Sequence, residues 1–326
     1  ENTLIGNSAG ATLTTGDYNT ALGVQALNTE DVGRGTTAIG YHALYSQNSD
    51  SNDEETGNVA VGYEAGKAVT TGTDNTIIGY KAAHVMTTPD DMTVVGKEAL
   101  ITQQGGLIGR GTHIGFRAGF RQNMTSGVDG NISLGYTANF SNITGGSNIS
   151  IGYAAGYGVA NHSPGNNINI GYAASKDISV GYQNVVIGGS AFENAKSGSI
   201  NVIIGQEAGR YTTGSSNVFV GGYAGQGGTT SAPFSSGNNN VGVGRDALKS
   251  FTTGYSNVAI GYGAADALTD GGNNIAIGHN SLGTANSGEN ENVAIGVNAM
   301  GSVDDSSADN NVAIGYNAGK GGAGQF

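Results

Sequence analysis

Asn311-Val312-Ala313-Ile314-Gly315-Tyr316-Asn317-Ala318-Gly319 is the stretch that decides the fold, because variants of it recur along the whole chain. We take the first glycine of each repeat as its anchor glycine, which is Gly315 here. The 18 anchor glycines are most often 17 residues apart. They are Gly6, Gly23, Gly40, Gly62, Gly79, Gly96, Gly115, Gly135, Gly152, Gly171, Gly188, Gly205, Gly221, Gly244, Gly261, Gly278, Gly296 and Gly315. Repetition at such a period predicts a solenoid, in which each repeat forms one coil stacked on the next.

The residues just before the anchor glycine predict a strand. The residue directly before it is always aliphatic, as in Val61 and Ile314, and the third residue before it is always β-branched, as in Thr20 and Val312. β-Branched residues favour the extended backbone, and residues two apart on a strand share one face. We therefore expect a short strand before every anchor glycine, with these two residues lining its buried side.

Other positions predict the interior and the turns. The third residue after the anchor glycine is Ala in every repeat but one, which has Ser281, so we expect a narrow interior. The fourth residue before the anchor glycine is Asn in 15 of the 18 repeats. An Asn at a turn can bond to its own backbone and to the Asn one coil away, which forms a ladder. Turns such as Thr70-Thr71-Gly72 and Thr252-Thr253-Gly254 precede this Asn, and we expect their glycines to supply a positive φ.

The sequence thus predicts an all-β fold, a parallel β-solenoid of about 18 coils with a 17-residue repeat. Residues 1–326 form a single repeat domain, with insertions near 45–57, 120–130 and 225–239. No stretch has a helical period of useful length. So short a coil buries few side chains, and lateral association would stabilise it, so we expect a parallel homotrimer. Neither end carries an obvious polar cap, and we expect other fibre domains to adjoin both ends.

Composition excludes several classes of protein. Glycine makes up 59 of the 326 residues, but there is no Gly-X-Y period and Pro is only 3, which excludes collagen. The net charge of −12, with only 13 scattered basic residues, argues against nucleic-acid binding. The chain has no Cys, and therefore no disulfide or thiolate metal site. Since no apolar run reaches 18 residues, we expect no insertion into a membrane.

The repeat resembles two families of surface proteins. The segment Asn58-Val59-Ala60-Val61-Gly62-Tyr63-Glu64-Ala65 and its counterparts at 257–264 and 311–318 resemble the head repeats of YadA-type trimeric autotransporter adhesins. That resemblance implies a left-handed β-roll assembled as a homotrimer, although the coil here is longer than that family's usual repeat. The Thr-Thr-Gly turns followed by Asn also resemble repetitive bacteriophage tail-fibre proteins. The two resemblances cover nearly the whole chain and rest on core and turn positions.

These resemblances imply a function outside the cell. The leading interpretation is a non-enzymatic fibre segment of a phage tail fibre on the virion, which attaches to a glycan or protein receptor on the host surface. The alternatives are the head of a bacterial trimeric adhesin on the cell surface and a structural extracellular filament. Ser8 in Gly6–Gly10 matches the Gly-x-Ser-x-Gly motif of hydrolases. The same positions read Gly-Tyr-Glu-Ala-Gly at 62–66, so Ser8 is one variant of a repeat position.

Aromatic residues are the candidates for ligand binding. The residue after the anchor glycine is often aromatic, as in Tyr63, Tyr153 and Tyr262, so one ring in each coil would build a ladder. Aromatic faces suit sugar rings, but a ladder can equally stabilise the solenoid or a subunit interface. Phe234 lies in the irregular segment 225–236, which we expect to form a binding knob because insertions in repeat proteins project from the core.

Acidic loops are the weak candidates for a metal. Loop carboxylates rich in neighbouring Asn and Ser can supply oxygen ligands to Ca²⁺, and a carboxylate pair could also hydrolyse glycans. The residues concerned lack the spacing of a known Ca²⁺ loop, and the main expectation is that they keep the protein soluble. They are Asp50, Asp53, Glu54, Asp304 and Asp305. The five His residues never occur at metal-ligand spacing, and no other cofactor is expected.

Overall fold

A computed structural model describes residues 1–52, 54–101, 109–121, 130–142, 145–158, 165–228, 234–285, 288–303 and 308–321. Within these residues the chain is an all-β parallel β-solenoid, whose regular elements are 18 strands of three residues each. The chain divides into two compact units, residues 1–166 and 167–326. Each unit contains nine strands in chain order. The fold class expected from the repeat is therefore confirmed.

Every strand begins three residues before an anchor glycine and ends directly before it. The strands of the first unit are β1 (Thr3–Ile5), β2 (Thr20–Leu22), β3 (Thr37–Ile39), β4 (Val59–Val61), β5 (Thr76–Ile78), β6 (Thr93–Val95), β7 (Thr112–Ile114), β8 (Ile132–Leu134) and β9 (Ile149–Ile151). The strands of the second unit are β10 (Ile168–Ile170), β11 (Val185–Ile187), β12 (Val202–Ile204), β13 (Val218–Val220), β14 (Val241–Val243), β15 (Val258–Ile260), β16 (Ile275–Ile277), β17 (Val293–Ile295) and β18 (Val312–Ile314).

Within each unit, every strand pairs in parallel with the next strand along the chain. The register joins equivalent positions of the repeat, so that Thr3 faces Thr20 in the first unit and Val185 faces Val202 in the second. Each coil therefore provides hydrogen-bond partners for the backbone N–H and C=O groups of the next coil. A single three-residue strand would leave these groups without partners. Longer repeats keep this register, as the pairing of Val218 with Val241 across the third insertion shows.

The side of the strand that faces the interior differs from the prediction. The middle residue of each strand points inward: Ala60 and Ile203 have no exposed surface. The residues on either side of it point outward, and 38% of the surface of Ile78 and 39% of that of Ile260 is exposed. The expectation that the residues one and three before the anchor glycine line the buried side is wrong. The interior is filled mainly by Ala, with fewer large side chains such as Ile203 at the same middle position, and the residues at the two ends of each strand stay outside.

The core of each unit is built mostly from Ala, with a few large side chains spaced along it. Small residues in adjoining coils make room for each large one. Phe219 faces Gly242 in the next strand, and a Cβ on Gly242 would lie 3.0 Å from the Phe219 ring. Close packing of this kind explains why most interior positions are restricted to Ala and Gly.

The anchor glycines have two reasons to be glycine. Their φ angles lie between 129° and 142°, which L residues rarely adopt. A Cβ on Gly62 would also lie 2.5 Å from the carbonyl oxygen of Gly79 in the next coil. The turn glycines differ from the prediction, since Gly254 has no positive φ. A side chain does not fit there because a Cβ on Gly254 would lie 2.8 Å from the carbonyl oxygen of Gly271. Left-handed positions in the coil are instead held by residues such as Glu64, with a φ of 53°.

The asparagine ladder is confirmed and is unbroken from Asn184 to Asn311 in the second unit. Asn257 is typical: its backbone N–H and its Nδ2 both donate to Oδ1 of Asn240, at 3.0 and 3.2 Å. The same Nδ2 donates to the carbonyl of Gly271 at 2.7 Å. Oδ1 of Asn257 in turn accepts from the N–H and Nδ2 of Asn274, at 2.9 and 3.0 Å. Each buried amide thus ties a turn to both neighbouring coils.

Replacing a rung of this ladder should be costly. Asn257→Ala leaves the N–H and Nδ2 of Asn274 and the carbonyl of Gly271 without their partners in a buried site, so we expect a loss of about 2–3 kcal/mol. The matched control is Asn238→Ala, because Asn238 is exposed and its side-chain Oδ1 accepts a bond from the Ser215 N–H at 2.7 Å. Urea denaturation measures both variants. Equal stability of the two would contradict the role assigned to the ladder.

A buried carboxylate holds the first insertion against the solenoid. Glu30 has no exposed surface, and its Oε1 accepts from the N–H groups of Gly33 and Ser49 at 2.8 and 3.2 Å. Its Oε2 accepts from Nε2 of Gln47 and Oγ of Ser49, both at 3.1 Å. Gln47 also accepts from Asn58, one residue ahead of β4, at 3.0 Å. Residues 47–49 of the first insertion are therefore tied to the solenoid by a satisfied polar network.

Candidate functional site

Each unit carries an apolar face along its strands, which we call the strand face. It comprises the residues one and three before each anchor glycine, and all of them are Ile, Val, Leu or Thr. They remain partly exposed, as shown by Ile151 at 37% and Ile187 at 36%. Parallel sheets are normally covered on both faces, and an apolar patch of this extent marks a binding surface. The inner face of each sheet is covered by the coil, whereas the outer face meets no part of the described chain.

Aromatic rings stack in a column beside the strand face. The first aromatic column contains the residues directly after the anchor glycine: Tyr41, Tyr63, Tyr80, Phe116, Tyr136 and Tyr153. Tyr63 stacks on Tyr41 with ring centroids 5.1 Å apart and on Tyr80 at 5.3 Å. Tyr136 stacks in the same way between Phe116 and Tyr153, at 5.0 and 5.1 Å. The predicted ladder therefore exists in part, as two stacks of three rings with Lys97 between them, and the spacing within each stack is close to that of the strands.

A second aromatic column runs parallel to the first and was not anticipated from the sequence. Phe140 stacks between Phe120 and Tyr157, with both centroid distances 4.9 Å. Arg117 lies between the two columns, with its guanidinium carbon 5.0 Å from the Phe116 ring and 4.9 Å from the Phe120 ring. Cation–π contacts of this kind help to order the surface. Aligning the repeats on their anchor glycines reveals the column, because its members all lie five residues after an anchor glycine.

The stacking decides what these rings can do. Both faces of the Tyr63 ring are covered by neighbouring rings, one face of Tyr153 packs on Tyr136, and Tyr262 stacks on His279 at 5.3 Å. A sugar ring needs an open aromatic face to stack upon. The covered faces favour the stabilising role for Tyr63. Only its ring edge and hydroxyl group remain exposed, and these could contact a ligand by hydrogen bonding alone.

Phe234 also packs against the solenoid. Its ring centroid lies 6.4 Å from that of Tyr211, nearly parallel to it, and the Lys196 ammonium nitrogen lies 5.7 Å from the Phe234 centroid. The ring is only partly exposed. Residues 229–233, the middle of the expected knob at 225–236, lie outside the described residues. Phe234 itself is therefore a packing residue of the third insertion in this structure.

The carboxylates proposed for Ca²⁺ are only partly described. Asp53, Asp304 and Asp305 lie outside the described residues. Asp50 and Glu54 are close together because the Asp50 N–H donates to Oε2 of Glu54 at 3.0 Å. Among the described residues, no three Asp, Glu or His side chains are grouped so as to hold a metal ion. The bond between Asp50 and Glu54 is a local turn contact.

Another carboxylate, Glu64, is surrounded by basic groups. Its Oε1 lies 2.8 Å from Nζ of Lys67, and its Oε2 lies 3.6 Å from Nζ of Lys81 and 3.1 Å from Nε2 of His84. Burial would raise the pKa of Glu64, but the hydrogen bond and charge of Lys67, with help from His84 and Lys81, hold that pKa below its ordinary value. The carboxylate stays ionised and neutralised, which suits a structural link between coils.

One buried histidine is a titratable group without a polar partner. His113 occupies the middle of β7, between Val94 and Ser133 of the adjoining strands, and has no exposed surface. Neither ring nitrogen has a hydrogen-bond partner within the described part of the chain. Gly111 and Gly119 make room for the ring, since a Cβ on either would overlap it. Burial lowers the pKa of His113 from 6.5 to about 4.

This histidine should make the fold sensitive to acid. The unfolded chain takes up a proton near pH 6.5 and the folded chain only near pH 4, so stability is full above pH 6.5 and falls between pH 6.5 and 4. Protonation of this group should lower the free energy of unfolding by about 3 kcal/mol in total. His113→Val should remove that part of the pH dependence and keep the fold at pH 7. Thermal denaturation of both proteins from pH 7.5 to 4 measures it, and parallel curves would rule the assignment out.

Comparison with known proteins adds no family to these observations. Within the described residues, no helix is long and apolar enough to cross a membrane. No family model matches the chain, and no curated protein or solved structure is significantly similar to it. The case for a function therefore rests on the repeat, the strand face and the aromatic columns.

Proposed function

We propose that the chain is a non-enzymatic segment of an extracellular fibre, a phage tail fibre that assembles as a homotrimer and attaches to the host surface. The observation that carries the proposal is the strand face. An aliphatic side chain stands directly before the anchor glycine in every coil, and Val, Ile or Thr stands three residues before it, as in Val202 and Ile204 of β12. The burial of such side chains is the main driving force of association.

A second copy of the same chain is the partner that fits best. The strand face repeats once per coil over the nine strands of each unit, so a matching surface must present apolar side chains at the same spacing. The same chain offers this surface in register, and a closed ring of copies buries it without leaving a free edge. The resemblance of the repeat to trimeric adhesin heads and to tail-fibre proteins supports three copies and a virion fibre.

Trivalency would give such a fibre its affinity. Three identical copies present each surface site three times, and linked weak contacts can exceed a single contact by about 10²–10⁴-fold. The net charge of −12 and the polar turns keep the outside of such an assembly soluble. Function then depends on assembly, because a lone chain would bind a surface weakly.

Retention on cells tests the attachment. The fluorescently labelled chain is incubated with a panel of bacterial strains, and we expect retention on some strains and not on others. A variant that cannot assemble, Ile187→Lys with Ile204→Lys, should be retained about 100-fold less on the same strains. Assembly without retention on any strain would contradict attachment and favour a purely structural filament.

A further inference from the structure

An open cleft lies where an aromatic side chain has no ring beside it in the next coils. Tyr18 occupies the fifth position before its anchor glycine, and the equivalent residues of the next two coils are Gly35 and Gly57. No side chain at this position can cover the Tyr18 ring from that direction, and 67% of the Tyr18 surface is exposed. A cleft of about 340 Å³ results, and Tyr18, Arg34, Gly35, Glu55 and Gly57 line it.

The cleft has a fixed shape. The backbone around it is tied to neighbouring coils, with the Tyr18 N–H donating to the Glu1 carbonyl at 2.9 Å and the Gly35 N–H to the Asp17 carbonyl at 3.1 Å. A Cβ on Gly35 would meet no atom within 4 Å, so the space beside the ring is empty. Two coils separate Tyr18 from Gly57, which leaves a slot roughly 9–10 Å deep along the stack. The solenoid thus preforms an open slot beside an aromatic platform.

The polar wall of the cleft is an ion pair. NH2 of Arg34 lies 2.8 Å from Oε1 of Glu55, and the two side chains remain 36% and 80% exposed. Arg34 and Glu55 also form a parallel bridge between adjoining coils, which holds the pair at the cleft. The pair carries no net charge. It offers N–H donors and carboxylate acceptors, the groups that bind hydroxyls, and it gives no advantage to a charged ligand.

We propose that this cleft binds a neutral saccharide, with one pyranose ring stacked on Tyr18 and its hydroxyl groups bonded to Arg34 and Glu55. A pyranose has an apolar C–H face and a polar edge, which match the aromatic platform and the ion pair. The site deepens the attachment function proposed above, and the choice of a cell-surface saccharide as the natural ligand rests on that function. The cleft itself does not depend on it.

The same arrangement recurs in the second unit. Tyr172 directly follows an anchor glycine, and the equivalent residue of the next coil is Gly189, where a Cβ would meet nothing within 4 Å. A cleft of about 280 Å³ lies there, and Ser190, Gln206 and Glu207 complete its lining. Again an aromatic ring borders the space of a missing side chain, with hydroxyl, amide and carboxylate groups around it. The recurrence supports the class of ligand, because two separate sequences build one type of cleft.

Saturation-transfer NMR on the full chain tests the Tyr18 cleft. The probes are glucose, galactose and N-acetylglucosamine at millimolar concentration, with N-acetylneuraminic acid and phenol for comparison. We expect transfer to the C–H protons of at least one neutral sugar. Tyr18→Asn should reduce the apparent affinity about tenfold by removing the stacking surface, and Asn tolerates the positive φ of 61° at this position. Gly35→Asn should place a side chain in the slot and have the same effect, because Asn also tolerates the φ of 77° at that position.

The matched control is Tyr63→Asn, which removes a half-exposed tyrosine whose faces are already covered. Because Tyr172 borders a similar cleft, Tyr172→Asn in the Tyr18→Asn background should remove any remaining transfer. Transfer that survives both changes, or transfer to phenol or to N-acetylneuraminic acid alone, would overturn the proposal. So would silence with every probe. The mass and cell-retention measurements decide the proposed function separately, since a homotrimer retained on cells by another surface would keep that function and lose this site.

Discussion

A chain that carries Ile187→Lys and Ile204→Lys is expected to be a folded monomer of 32.5 kDa. The two side chains lie on adjoining strands, β11 and β12, and point away from the coil interior. A buried ammonium group without a partner costs several kcal/mol, and a trimer would bury six of them. The interior residues Val186 and Ile203 are unchanged, so circular dichroism should still report a β-fold at moderate temperature.

The matched control adds the same charge elsewhere. Val180→Lys with Ser197→Lys changes two exposed turn residues between strands of the same unit, and this variant should assemble like the unchanged chain. Light scattering after size exclusion measures both masses. If the strand-face variant keeps the mass of the unchanged chain, the strand face is not the interface. If the control also dissociates, added charge rather than position is the cause.

Gly261→Ala should strongly destabilise the second unit. Gly261 has a φ of 136°, and the new Cβ would lie 2.6 Å from the carbonyl oxygen of Gly278 in the next coil. That oxygen belongs to the paired backbone and cannot move without breaking the register of β15 and β16. Backbone strain and overlap together should cost about 3 kcal/mol or more.

Gly189→Ala is the control for this change. Gly189 lies in the same unit, has no positive φ, and a Cβ there would meet nothing within 4 Å. We expect a change within about 0.5 kcal/mol. Urea denaturation compares the two variants, and similar midpoints would contradict the explanation given for the anchor glycines.

Most of the fold could be predicted because the repeat marks every coil. An anchor glycine ends each strand, and the Asn four residues before it forms the ladder, so strand position, register and fold class followed from spacing alone. The buried side of the strand did not follow. In Val59-Ala60-Val61 all three residues are apolar, and their hydrophobicity does not distinguish packing within a chain from packing between copies. The structure shows that the middle residue, Ala60, points inward and that its two neighbours remain partly exposed.

The candidate binding sites were harder to predict because they depend on residues 17 or more positions apart. Tyr63 was a candidate for its ring, yet the rings of the next coils cover it. Tyr18 was not a candidate. The cleft beside its ring exists because Gly35, the equivalent residue of the adjoining coil, has no side chain. A position-by-position alignment of the coils would have shown both the covered ring of Tyr63 and the open ring of Tyr18. A ring with aromatic residues at the same position of the next coils stacks on them, whereas a ring followed by glycine at that position keeps an exposed face.

The mass of the unchanged chain in solution tests the central claim most directly. Light scattering over a wide concentration range should give one discrete mass of about three times 32.5 kDa, independent of dilution. The strand face would then be the surface buried among the three copies. A mass of 32.5 kDa at every concentration would contradict the account, because a monomer would leave the apolar face of every coil in water.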